Sequence, residues 1–322
     1  MRKFLILLVM ASIALPIASA SAADASWTDK IKVGLEARVR NESQFDYDLN
    51  AKAEDKDNFS LLRARLNVTA TPTENFRGFI QIQSSRVFGD SALSGTFGPG
   101  NTARGIAADD EDIALHQGYL DIIGNDLTFR VGRQEMIFGD QRLVGALGWS
   151  NRGRSFDGVS LIHDTDSHKA TLFFHLIQRN AAGTTTLALS PLPPTPPALV
   201  TVTFGAPGNN DPMFFGANVT LKEIGNGLDV YLFGFVDRDG QTINPAKVQD
   251  GNLAFATLGF RTKDMPGDGI GYDLEGAVQG GENDDVGIMA FAGHVALGFG
   301  VEDASGLKLL AEYNIASGDN PN

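Results

Sequence analysis

The amino-acid sequence predicts an all-β fold, a transmembrane antiparallel β-barrel with about 13 strands present, and three observations carry that expectation. Apolar and polar residues alternate with period 2 over long segments, long and short connections alternate between those segments, and most segments run for about 9 to 12 residues, the length of a tilted membrane strand.

The chain opens with Arg2 and Lys3, an apolar run from Phe4 to Ile17, and the small residues Ala18-Ser19-Ala20-Ser21-Ala22. That order of charge, apolar core and A-x-A site is a secretory signal peptide, so residues 1–22 are expected to be removed and residues 23–322 to form the barrel. No later stretch approaches the roughly 18 uninterrupted apolar residues of a helical span, which leaves strands as the means of crossing.

The first strand alternates Val33, Leu35, Ala37 and Val39 with Glu36, Arg38 and Arg40. In the second, Leu62, Ala64, Leu66, Val68 and Ala70 share one face while Arg63, Arg65, Asn67, Thr69 and Thr71 share the other, because successive side chains point to opposite sides of a strand. Ile80 and Ile82 oppose Gln81 and Gln83. Phe215, Ala217, Val219 and Leu221 oppose Asn218 and Thr220. Tyr272, Leu274, Gly276 and Val278 oppose Asp273, Glu275 and Gln279, and Leu307, Leu309, Ala311, Tyr313 and Ile315 oppose Lys308, Glu312 and Asn314. Both faces are apolar in Leu228 to Val236 and in Ile288 to Phe299, so the phase is open there.

A soluble sandwich would turn the apolar faces inward and a membrane barrel would turn them outward. The connections favour the barrel. Long gaps (Glu42 to Asn58, Gly89 to Asp112, Met136 to Gly153, Asn180 to Asp211, Asp239 to Asp250) alternate with brief ones (Thr71 to Asn75, Gly124 to Asp126, Asp164 to Ser167, Glu223 to Gly227, Lys263 to Gly269, Glu302 to Gly306), and Gly281 to Val286 alone breaks the order. Outer-membrane barrels have short turns at one end and long loops at the other. The fourth long gap holds Pro191, Pro193, Pro194, Pro196 and Pro197 and reads as a stiff segment without ladder potential.

Composition removes other classes. The chain has no Cys, which excludes a disulfide scaffold, a thiolate metal site and a Cys nucleophile. A net charge of -13 argues against nucleic acid as a partner, and no phosphate-binding Gly-Lys-Ser/Thr loop suggests nucleotide-driven work. None of the five histidines sits in a nucleophile motif, so neither an enzyme nor a cofactor is expected. An adhesin lacks support, since no passenger domain precedes the strands. Acidic loops, Asp46 to Asp57 and Asp109 to Asp112, read as solvated surface, with bridging by divalent cations to neighbouring lipid headgroups as the alternative.

Arginines fall on the polar phase at Arg38, Arg40, Arg63, Arg65 and Arg77. In a wide barrel that face lines water, where rings of Arg or Lys select anions, although pairing with Glu36, Asp273, Glu275 or Glu312 would give a structural ladder instead. The densest constellation is Gly132-Arg133-Gln134-Glu135-Met136-Ile137-Phe138-Gly139-Asp140-Gln141-Arg142-Leu143 followed by Trp149-Ser150-Asn151-Arg152-Gly153-Arg154-Ser155-Phe156-Asp157-Gly158-Val159. Arg133, Arg142, Arg152 and Arg154 with Asp140 and Asp157 supply guanidinium forks that hold carboxylates, and a loop folded into the barrel mouth would set them at a constriction.

This run closely resembles the alginate export family of outer-membrane porins, as does, more weakly, Ala311 to Pro321 (A-E-Y-N-I-A-S-G-D-N-P). The resemblance extends from about Lys30 to the end. It implies a barrel of about 18 strands, within the size range of such barrels, with an arginine-rich lumen that passes an anionic polyuronate across the cell outer membrane. It carries pore roles onto Arg133, Gln134, Arg142, Asn151, Arg154 and Asp157. The expected partners are that polysaccharide, outer-membrane lipid and periplasmic export proteins, with small anionic solutes or oligosaccharides as the alternative permeant. Because the sequence stops at Asn322 without the terminal strands such a barrel carries, a truncated chain is also expected.

Overall fold

The computed structural model describes residues 9–13, 28–45, 56–88, 111–177, 184–189, 198–203, 212–240, 251–266, 269–284, 286–301 and 307–318. Thirteen long strands follow one another as a meander: β2 (Ile31–Phe45), β3 (Lys56–Thr73), β4 (Phe76–Phe88), β5 (Glu111–Ile123), β6 (Leu127–Gln134), β7 (Phe156–Asp164), β8 (His168–Leu176), β11 (Met213–Leu221), β12 (Leu228–Gly240), β13 (Gly251–Asp264), β14 (Gly269–Asn283), β15 (Val286–Val301) and β16 (Leu307–Ala316). Each pairs antiparallel with its neighbours in that order, and a short β1 (Val9–Ile13) adds to the edge of β2. Among the described residues no ladder joins β16 to β1 or β2.

The long connection between β8 and β11 carries a hairpin of its own, β9 (Thr184–Leu189) with β10 (Ala198–Thr203). The sequence expectation for this gap was a stiff proline segment without pairing; β-branched and small residues flanking the prolines supply the ladder. The prolines themselves, like most of the acidic loop residues, lie outside the described residues. The odd gap at Gly281 to Val286 is a tight hairpin, Asn283 pairing with Val286 and Asp284 turning at φ 53.

Burial settles which face is which. Val33, Val39, Ile80, Leu120, Leu172, Leu232, Leu258, Leu297 and Phe299 are all exposed, whereas Arg40, Arg63, Arg65, Gln81, Gln83, Asp121, His175, Asp273 and His294 on the other phase are buried. Leaving one large apolar side chain in water rather than burying it forgoes about 1.5–3 kcal/mol. Over this belt that loss would exceed the about 5–15 kcal/mol by which an ordinary domain is stable. The sheet is therefore the wall of a membrane barrel, lipid outside and polar lumen inside. The two-faced segments resolve accordingly. Val230 and Leu232 point outward while Tyr231 and Phe233 point inward, and Met289, Phe291, Val295 and Leu297 point outward while His294 and Ala296 point inward.

Cross-strand register arranges the inward side chains in rows. One runs Lys169, Thr220, Asp229, Arg261, Glu275, His294, Asn314 across seven consecutive strands from β8 to β16. Another runs Arg77, Asp121, Arg130, Ser160 from β4 to β7. Asp121 is fully buried and accepts from Arg77 Nε at 2.9 Å and Arg130 Nε at 2.7 Å, while Arg130 lies 3.9 Å over the Tyr119 ring.

Candidate pore site

β6 ends at Gln134 and β7 begins at Phe156, so the residues between them leave the sheet at its long-connection end. They turn into the lumen. Met136 and Val144 are buried, and with Phe138 they pack on an aromatic wall that the inward phase of β7, β8, β11 and β12 provides: Phe156, Phe173, Phe214, Tyr231 and Phe233. Phe138 stands 5.5 Å from the Phe233 ring centroid and 5.6 Å from that of Phe173, within normal aromatic pairing distance. The fold of the loop is local. Phe138 N donates to Val144 O (3.3 Å), Ala146 N to Gln141 Oε1 (3.1 Å) and Arg154 N to Ala146 O (2.7 Å), with Gln141 and Leu147 in the left-handed region.

One tip of the loop reaches the far wall. Asp140 accepts from Arg261 Nη2 at 2.8 Å and Lys263 Nζ at 2.9 Å, and Lys263 is next to last in β13, at its short-turn end. Arg142 donates to Glu275 Oε2 (2.8 Å) and Asp273 Oδ2 (3.1 Å), and its Nη2 lies 2.7 Å from His294 Nε2. Burial works against the Asp140 charge, but the hydrogen bonds from Lys263 and Arg261 outweigh it and hold its carboxyl well below the usual range. Burial likewise disfavours the Arg142 cation, and Glu275 and Asp273 more than restore it. Gly139 fits only as glycine: its φ is 52, and a Cβ would come within 2.7 Å of Arg261 Cδ.

The other tip lies on β2 to β4. Arg38 donates to the carbonyls of Gly148 (2.6 Å), Trp149 (3.1 Å) and Ser150 (2.9 Å), Arg40 to that of Trp149 (2.5 Å), and Arg63 to those of Gly148 and Ser150 (3.2 Å each). Arg63 also binds Glu36 at 2.7 Å. Arg65 donates to Gln83 (2.7 Å) and lies 3.0 Å from His116 Nε2, which is 2.7 Å from Glu135; Gln83 in turn donates to Arg152 O at 2.7 Å. Asn151, fully buried, donates to Leu62 O at 3.1 Å. Gly153 sits at φ 77, where an added Cβ would come within 2.9 Å of Arg65 Nη2 and 3.0 Å of His116 Cε1.

Among the residues singled out from sequence, Arg38, Arg40, Arg63, Arg65, Arg142, Asn151 and Arg152 are thus brought together by one inturned loop. Gln134 faces inward too, accepting from Ser160 Oγ at 2.9 Å beside His175. Arg154 is exposed, with no side-chain partner among the described residues. Arg133 and Asp157 require a correction. They form a two-pronged pair (2.8 and 2.7 Å) within the ladder of β6 and β7, and Asp157 pairs in register with Leu176, so they share the outward phase of Leu161 and Leu176 rather than the lumen. Sequence reading treated the whole motif as loop, whereas its ends are strand, where parity decides the side.

The partners on the far wall were only half visible. Asp273 and Glu275 could be read as lumen acids from their phase; Arg261, Lys263, His294 and Asp140 belong to the same cluster, and strand phase was the signal for the first two, whereas His294 lies in a segment whose two faces are both apolar. The aromatic seat had no sequence signal, since inward Phe and Tyr look like a second lipid face.

A comparison with curated protein sequences finds no match. Among solved structures the chain is similar to a loop L8 deletion mutant of OmpT, an outer membrane protein of Vibrio cholerae (12% identity, 90% of this chain and 94% of that chain, TM-score 0.39), and to in-vitro folded OmpT of the same organism in its trimer form (11% identity, 89% and 88%, TM-score 0.36). Residues 29–184, which hold β2 to β8 and the whole inturned loop, match the model of the alginate export family.

Proposed function

We propose that this chain is a passive pore for an anionic, alginate-like polysaccharide, with residues 1–22 as the leader that directs it to the outer membrane, so that β1, which lies within the leader, leaves the edge of β2 when the leader is removed. The observation that carries the reading is the loop held across the lumen, with the exposed Arg154 near its β7 end and Arg142 at the tip that reaches the far wall. A loop in that place narrows the water path, and guanidinium groups beside it attract carboxylates. Arg38, Arg40 and Arg63 act mainly as positioning residues on this account, because their donors are occupied by loop carbonyls and Glu36.

Acids sit beside the cations throughout. Asp140, Asp229, Asp273 and Glu275 gather on the β12 to β15 side, so the basic tip and the acidic wall face each other across the loop. Such an arrangement favours weak, repeated carboxylate contacts over tight capture, the condition for conduction. No nucleotide chemistry is involved; the polymer moves down its gradient, delivered by periplasmic partners.

The test is planar-bilayer conductance with the reversal potential measured in a salt gradient, followed by polyuronate in either chamber. Anion preference with block by polyuronate is expected. Anion preference without block would assign the pore to small anions, and cation preference would sink the reading.

A further inference from the structure

Trp149 is the one large apolar side chain of the loop's basic tip, and it is 55% exposed although the loop has an aromatic seat elsewhere. Its placement is fixed from both sides of the residue. Arg38 Nη2 and Arg40 Nη1 bind its carbonyl, and the Arg40 guanidinium lies 4.3 Å from the centroid of its ring. Arg40 is itself buried and held by Glu42 at 2.5 Å, so one face of the indole rests on an immobile cation and the other is left open.

The side of the wall is unambiguous. Arg38 and Arg40 share the phase of Glu36, opposite to Val33, Leu35 and Val39, so this indole stands in the lumen and not in the aromatic girdle at the lipid boundary. An open indole face on a rigid mount offers a flat apolar patch ringed by donors. Pyranose rings present a matching surface, a flat face of C–H groups with hydroxyls around the edge. A small inorganic anion gains nothing from it.

We infer that Trp149 is a stacking platform for a sugar ring, one subsite of the path, with Arg40 as its positioning residue. This rests on the polysaccharide reading above and specifies how the pore would tell a saccharide from a small anion. Stacking needs no charge, so a neutral oligosaccharide engages the platform as well, and the carboxylates of a polyuronate add the pull of exposed guanidinium groups such as Arg154.

The test uses single-channel block by a uronic-acid oligomer in the unaltered protein, Trp149→Phe and Trp149→Ala. Loss of the indole should weaken block by about 3- to 10-fold in Trp149→Ala, with most of it retained in Trp149→Phe. The reversal potential in a salt gradient should not move. Block of equal strength in all three would overturn the platform and leave the polysaccharide reading standing. No block of the unaltered protein by any saccharide would overturn both. Should Trp149→Ala fail to insert, fluorescence decides. The chain has two tryptophans, so a Trp27→Phe background isolates Trp149. Its emission should change on titration with neutral or anionic oligosaccharide and saturate where block does. An unchanged emission through that range would refute the platform.

Discussion

The two tips of the inturned loop are held by different chemistry. At residues 148–150 the loop contributes backbone carbonyls and the wall contributes arginines; at residues 140–142 the loop contributes its own charged side chains to a wall of acids and bases. Carbonyl anchoring is indifferent to which side chains the loop carries, so the Trp149 indole is positioned through its backbone without being consumed. Ion-pair anchoring consumes the residues that make it. The first tip thus keeps the Trp149 side chain available for a permeant, and the second locks the loop across the lumen.

Between the tips lies the aromatic seat, and removing it should have the largest effect. Phe173→Ala takes a buried ring from beneath Phe138, and such truncations cost about 3–5 kcal/mol. The strands themselves stay satisfied by their ladders, so the expected loss falls on the loop. Single-channel recordings should show a larger, noisier conductance, and calorimetry a lower unfolding temperature. A quiet channel of unchanged conductance would show that the tips alone hold the loop.

Next in size is Arg142→Glu. The substitution sets a third carboxylate against Asp273 and Glu275, which should free the 140–142 tip, raise conductance and lower anion preference together. The contrast is Arg63→Gln at the other tip, which removes a donor to two loop carbonyls without adding repulsion; a smaller rise in conductance is expected. Equal effects of the two would erase the distinction between the anchors.

Much of this was readable before any coordinates. Period 2 and the alternation of long and short connections gave the strand number and the orientation of most faces, since a membrane wall has to be apolar on one side along its whole circumference. What escaped was set by the loop. Tyr231 and Phe233 made β12 look two-faced because they serve a core inside the lumen, and period alone cannot separate a lipid face from an inner seat. Anchoring through the carbonyls of residues 148–150 leaves no trace in side-chain identity. Arg133 and Asp157 were placed in the pore by their motif, yet strand parity turns them outward.

A pH prediction follows for the locking tip. Asp140 is held below the about 3.9 of a free aspartate, so its contribution to anchoring is complete above about pH 5 and is lost only as the pH falls through the depressed value. Conductance recorded from pH 7 down to about 4 should therefore stay in one regime, with loop opening confined to stronger acid. Asp140→Asn should show the open regime already at neutral pH. Opening of the unaltered channel between pH 5 and 7 would mean that a group other than Asp140 governs the tip.

The smallest expected effect belongs to Arg154→Glu. This side chain is exposed and has no partner among the described residues, so its replacement should leave conductance and stability as they are, exposed charges contributing about 0–1 kcal/mol. What should change is the sign-dependent part of permeation. Reversing one charge beside a narrow water path shifts the reversal potential toward cations, and the shift should shrink as salt rises, because exposed charges are screened within about 8 Å at physiological ionic strength. Arg142→Glu, by contrast, should alter conductance at every salt concentration, since it acts on where the loop sits. Salt dependence therefore separates a residue that meets the permeant from one that holds the loop, and a salt-independent effect of Arg154→Glu would move Arg154 into the second group.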